Sequence, residues 1–190
     1  MRSTPIIVAI SMGLALAACS KKSETTTETT VNSDMNAMST TNAAATMPAM
    51  PAQQFTDTVA ASDMFEIQSG KLAETMGSTP AIKSFGKMLV TDHTKSSEML
   101  KAAAKKTSPV VGLPMVLPAD LKEKITALKA AKGADFDKLF VEQQIAGHQA
   151  AVDALTAYAA GGDQASLKEF ASTATPVVQG HLTALQAMPK

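Results

Sequence analysis

The chain contains no tryptophan, a single tyrosine and a single cysteine in 190 residues. One thiol cannot form an intramolecular disulfide, so no covalent staple holds this fold. There is no Gly-x-Ser-x-Gly elbow and no phosphate-binding glycine loop. With Cys19 near the start of the chain there is also no cysteine to pair with a domain histidine, so nucleophilic catalysis finds no support. No segment alternates apolar and polar residues convincingly, which argues against a half-buried strand. Charge of one sign is not in excess either. The 17 basic residues become 16 without Arg2, against 17 acidic ones, a net of −1. Such a chain has no basic field to hold nucleic acid or anionic lipid.

What is present begins with an address. Arg2 followed by the apolar stretch Ile6 to Ala18 reads as a secretory signal, too short to span a bilayer comfortably. Leu16-Ala17-Ala18-Cys19 resembles a bacterial lipobox, in which the cysteine becomes the lipidated first residue. By resemblance to lipoprotein sorting, Ser20 and Lys21 favour the outer membrane. Residues 19–52 are mostly Thr, Ser, Asn, Ala, Met and Pro and bury too little apolar surface to order themselves. The expected organisation is therefore a signal peptide over 1–18, a lipidated Cys19 with a flexible tether to residue 52, and one domain over 53–190. Membrane contact is expected through the anchor at Cys19, in the periplasm, with no nucleic-acid partner.

The domain reads as helices divided by glycine and proline. Phe55 to Met76 forms the first, with Gly77 as its C′ residue, Thr79 as the next N-cap and Pro80 in the following first turn. The second helix runs from about Ala81 to Lys106, and residues 107–117 are irregular but packed. Pro118 opens a short helix ending near Gly133, and Asp135 caps a long helix to about Ala160. After Gly161-Gly162-Asp163, a last helix runs to about Met188, kinked or split at Pro176. Short turns make antiparallel hairpins, hence an all-α four-helix bundle with one short extra helix. Small residues at Ala146, Gly147, Ala150 and Ala154 predict that the long third main helix is the most buried.

Polar residues interrupt the apolar stripes of this bundle. His148 lies in the run Val141, Ile145, Val152, Leu155, and His181 in Ala174, Val178, Leu185, Met188. Glu66 lies among Phe55, Val59, Ser69, Ala73 and Met76. Each run steps by three and four, so these groups face the core, where an unsatisfied polar side chain costs free energy. One solution is a metal site. Glu66, His93, His148 and His181 would then supply one ligand per helix to zinc, iron or copper. Asp92 and Gln144 would orient the imidazoles. The other solution is structural, with Gln143, Gln144, Glu66 and Asp92 bonding the histidines to fix helix register.

Helix arithmetic speaks against the first solution. Reflecting His148 through the Gly161-Gly162 turn lands near residue 175, six short of His181, an offset of roughly 9 Å at about 1.5 Å per residue. Glu66 reflects to near residue 89, about one turn from His93. A ferritin-type di-iron site needs Glu-x-x-His on two helices, but Ile145 and Val178 stand where those carboxylates belong. Met35-x-x-Met38 and Met47-x-x-Met50 offer thioethers to Cu(I), whereas Met64, Met76, Met88, Met99 and Met188 read as adaptable core filler.

Several segments together resemble one bacterial envelope family. They are Glu66-Ile67, Gly70-Lys71-Leu72-Ala73, Phe85-Gly86-Lys87-Met88-Leu89-Val90-Thr91-Asp92-His93, Phe136-Asp137 with Gln144 and His148, Pro176, and His181-Leu182. The family is domain of unknown function 4142, and the resemblance covers about Phe55 to Met188. It implies a ferritin-like bundle in secreted or lipid-anchored proteins and brings no settled activity. Where the family often has a second Asp-His pair, this chain has Gly147-His148. The expected role is a non-enzymatic binding or structural module, stress-related by family association. The alternative is a mononuclear metal-dependent redox or detoxifying protein using Glu66, His93, His148 and His181.

Overall fold

The computed structural model describes residues 50–188; Cys19 and nearly all of the expected tether lie outside them. Five helices occur in order: α1 (Ala52–Met76), α2 (Pro80–Ala104), α3 (Ala119–Ala130), α4 (Gly133–Gly161) and α5 (Ala165–Gln186). No strand occurs among the described residues. α1 pairs with α2 and α4 with α5, while the short α3 packs across α1 and α4. This is the all-α bundle the turn residues imply. No helix of the described residues is long and apolar enough to cross a membrane.

Local chemistry explains the boundaries. The Thr79 hydroxyl accepts from the Ile82 amide at 3.3 Å, and Pro80 follows at the first helical position, where its missing N–H costs nothing. Gly77 ends α1 through its N–H to the Ala73 carbonyl at 3.0 Å, but with φ −54° rather than the left-handed conformation expected of a C′ glycine. The left-handed glycine is Gly133, at φ +55°, where the chain turns from α3 into α4. Helix α4 therefore starts two residues before Asp135, which lies in the first turn, where its charge favours the helix dipole, instead of capping it.

The irregular segment after α2 is held by side chains. The Gln53 amide donates to the Gly112 carbonyl at 3.1 Å and accepts from the Gly112 N–H at 3.0 Å. Leu117 from this segment is buried. Within the first hairpin, α1 and α2 approach closely at Gly70 and Gly86. A Cβ on either would stand 2.6–2.7 Å from the other's carbonyl oxygen.

Two expectations need correction. Helix α5 runs unbroken through Pro176, so it is not split there. Pro176 and Ser172 both lie on the exposed face, where a carbonyl that loses its helical partner costs least. Helix α4 is not the most buried either. Ala146 and Ala150 are exposed, and the small-residue face borders a groove instead of closing on α1.

The core is divided. One apolar cluster centres on Phe55, Leu100, Leu155, Tyr158, Leu167 and Phe170, with the Phe55 and Tyr158 rings stacked at 3.9 Å. The other centres on Phe65, Phe85, Leu89, Leu128, Phe136, Phe140 and Leu185. Met64, Met76, Met88 and Met188 pack on the second and Met99 on the first, as core filler should. Met50 also packs on the first cluster, while Met35, Met38 and Met47 lie outside the described residues. Along α2 the first-cluster and second-cluster residues are separated by His93, along α4 by Gln144 and His148, and along α5 by His181. A buried polar layer thus crosses the middle of the bundle.

Candidate metal centre

Within that layer three imidazoles from three helices converge. The ring centroids of His93 and His148 are 5.8 Å apart, those of His93 and His181 5.6 Å, and those of His148 and His181 5.4 Å. One ring nitrogen of each lies within 4.8 Å of one on each of the other two, and all three residues are buried. Phe85 from the second apolar cluster meets the His181 ring edge-on at 6.0 Å.

The nitrogen that faces away from the centre is held in every case. His93 Nδ1 bonds Asp63 Oδ1 at 2.8 Å, and Asp63 also accepts from the Ser97 hydroxyl at 3.2 Å. His148 Nδ1 bonds the Gln144 carbonyl oxygen at 2.9 Å. His181 Nε2 bonds Asp92 Oδ2 at 2.9 Å. A carbonyl oxygen can only accept, and an ionised carboxylate only accepts, so the proton of each neutral ring sits on that outer nitrogen. The inner nitrogens, Nε2 of His93, Nε2 of His148 and Nδ1 of His181, are then left with lone pairs. His148 Nε2 and His181 Nδ1 stand 3.3 Å apart, and His93 Nε2 has no partner at all. With all three rings neutral these lone pairs point at one another and repel, which a proton on His93 or a cation between them relieves. This pattern, an acceptor behind each imidazole, is the one that orients histidine ligands toward a metal.

The electrostatics agree with neutral rings at His148 and His181. Burial, with the His93 charge adding to it, pushes His148 down to about 3. Burial also lowers His181, against its hydrogen bond to Asp92. His93 goes the other way. Burial would lower it, but its hydrogen bond to Asp63 and the charges of Glu66, Asp63 and Asp92 hold it above the ordinary histidine value. Glu66 is raised to about 7 by burial, which outweighs the His93 charge and the Gln144 amide.

The four residues singled out from the sequence are thus close together, but not equivalent. The three histidines form the convergent set. Glu66 stands beside it, its Oε1 3.9 Å from His148 Nδ1 and its Oε2 without a partner. Asp92 accepts from one imidazole, that of His181. Gln144 does so through its backbone carbonyl, while its side-chain amide donates to Ser69 Oγ at 3.0 Å.

The 9 Å offset between His148 and His181 is overturned, for two reasons. Helix α4 ends at Gly161 and α5 starts at Ala165, so the hairpin midpoint is near residue 163 and His148 reflects to 178 rather than 175. Side chains also lean toward their own helix N-terminus, covering the position about one residue earlier. In an antiparallel pair this moves His148 away from the turn and His181 toward it, which removes most of the remainder. The same arithmetic exposes the residue that sequence reasoning missed. The α1–α2 midpoint is near residue 78, through which Asp63 reflects onto position 93. Its spacing of three from Glu66 was the available signal.

The chain matches the family described as Domain of unknown function (DUF4142) over residues 37–188, and it belongs to that family. The match begins well before α1, inside the segment expected to be a tether. No curated protein and no solved structure matches the chain.

Proposed function

We propose that this domain is a lipid-anchored envelope module that binds one transition-metal ion through His93, His148 and His181. The observation that carries the reading is the set of three inner imidazole nitrogens, each freed by an acceptor behind its ring. Metal–nitrogen bonds of about 2.0–2.1 Å at tetrahedral angles place nitrogens about 3.3–3.4 Å apart. The His148–His181 nitrogen pair already stands at 3.3 Å. A purely imidazole donor set is of borderline softness and accepts zinc, iron or copper. The envelope address rests on the sequence alone, on the apolar leader and Cys19, and places the module outside the inner membrane on a tether.

The experiment is metal analysis of the purified chain after incubation with Zn²⁺ and removal of loose ion. One equivalent is expected, lost in His148→Ala and His181→Ala. Asp63→Asn should retain the site with affinity lowered by about 10–100-fold, because the acceptor behind His93 is weakened. If no stoichiometric metal appears while the histidine variants lose about 1–3 kcal/mol of stability, the imidazoles are structural and the proposal fails.

A further inference from the structure

A groove borders the polar layer along the seam between α1 and α4. Its volume is about 410 Å³, and its lining includes Glu66, Asp63 and His93. That volume falls in the range of small-molecule sites, about 300–1,000 Å³. The α4 side is formed by Ala146, Gly147, Ala150 and Ala154, residues small enough to let two helices touch, yet Ala146 and Ala150 remain exposed. Three side chains lining the groove carry buried polar atoms without a partner: Glu66 Oε2, His93 Nε2 and Gln143 Oε1. Glu66 is 1% exposed and His93 5%. Buried polar atoms are almost always satisfied in a native protein, so three unpartnered ones from α1, α2 and α4 bordering one groove point to a missing ligand.

A second pocket, of about 110 Å³ between α2 and α5, also reaches His93 and His181. Its acidic residue, Asp92, is already bonded to His181. Apart from the shared His93, no residue lining it has an unpartnered buried polar atom. It has room for a few waters at most.

We infer that the α1–α4 groove is the ligand chamber of the three-histidine centre, taking a small molecule with an apolar body and a polar head that touches both the bound ion and Glu66. This rests on the metal reading above. Three ligands from the protein leave an ion with a position to fill. The lining argues for the apolar body, because Val59, Phe65, Leu155 and Phe170 border the groove. The head group must carry a metal-binding oxygen next to an N–H or O–H donor, so that the donor meets Glu66 Oε2.

The test uses the full chain loaded with Co²⁺, whose visible absorption reports its ligands, and titrates it with benzohydroxamic acid. A saturable spectral change is expected. Ala150→Phe, at an exposed position on the groove wall, should weaken the probe at least tenfold with cobalt stoichiometry unchanged. Thr173→Phe, at an exposed position lining only the smaller pocket, should leave probe affinity within twofold. Cobalt binding without a probe response, or equal probe affinity in the two variants, overturns the chamber and leaves the metal site standing. Failure to bind cobalt removes both, and this is seen before any probe is added.

Discussion

Replacing Glu66 with glutamine in the metal-free chain should stabilise the fold, and the gain should grow with pH. Glu66 is buried and is raised from 4.5 to about 7. Between those values the folded chain holds a proton that the unfolded chain has released. The protonated carboxyl's contribution is therefore fully present below 4.5 and is lost as pH rises through 7. A shift of 2.5 units at about 1.36 kcal/mol each corresponds to roughly 3 kcal/mol at pH 8, against somewhat under 1 kcal/mol at pH 5. Gln144 and Ser69 surround the substituted amide in either case, and titration of His148 and His181 is common to both proteins. The difference between variant and parent therefore reports residue 66 together with its coupling to the His93 charge. Urea unfolding at pH 5, 6.5 and 8 reads it out. The advantage of Glu66→Gln should widen by about 2–3 kcal/mol from the lowest to the highest pH, a midpoint shift on the order of 1 M. An advantage that stays constant, or shrinks with rising pH, would show that Glu66 is not held protonated by its burial, and the argument would be wrong.

Two further variants probe the frame that holds the site. Gly70→Ala would put a methyl group 2.7 Å from the Gly86 carbonyl oxygen and 3.0 Å from Val90 Cγ2. It should cost about 1–3 kcal/mol by forcing α1 and α2 apart, and an unchanged melting temperature would refute the close approach. Pro176→Ala restores a backbone donor to an exposed stretch of a continuous helix. It should raise stability by about 1–3 kcal/mol, and a loss measured by thermal melting would mean that the ring has a packing role.

Local sequence carried much of the architecture. Thr79-Pro80 and Gly161-Gly162-Asp163 marked the hairpin turns, because capping and helix-stopping are decided within a few residues. The three-four periodicity also put His148, His181 and Glu66 on buried faces, where they are found. Pro176 misled for an equally local reason. The rule that proline breaks helices weakens where the freed carbonyl faces water, and burial at that position was not legible from spacing alone.

The amino-acid order determined an all-helical domain with imidazoles and a carboxylate directed inward, since propensity and side-chain direction act over one or two turns. Only the packed bundle decided that His93, His148 and His181 meet, that Asp63 stands behind one of them, and that Glu66 lies beside the trio. Those outcomes depend on where each turn has its midpoint and on how Cα–Cβ bonds lean in opposed helices. They also depend on how far α1 and α4 stay apart, a distance between hairpins that no repeat within a helix encodes.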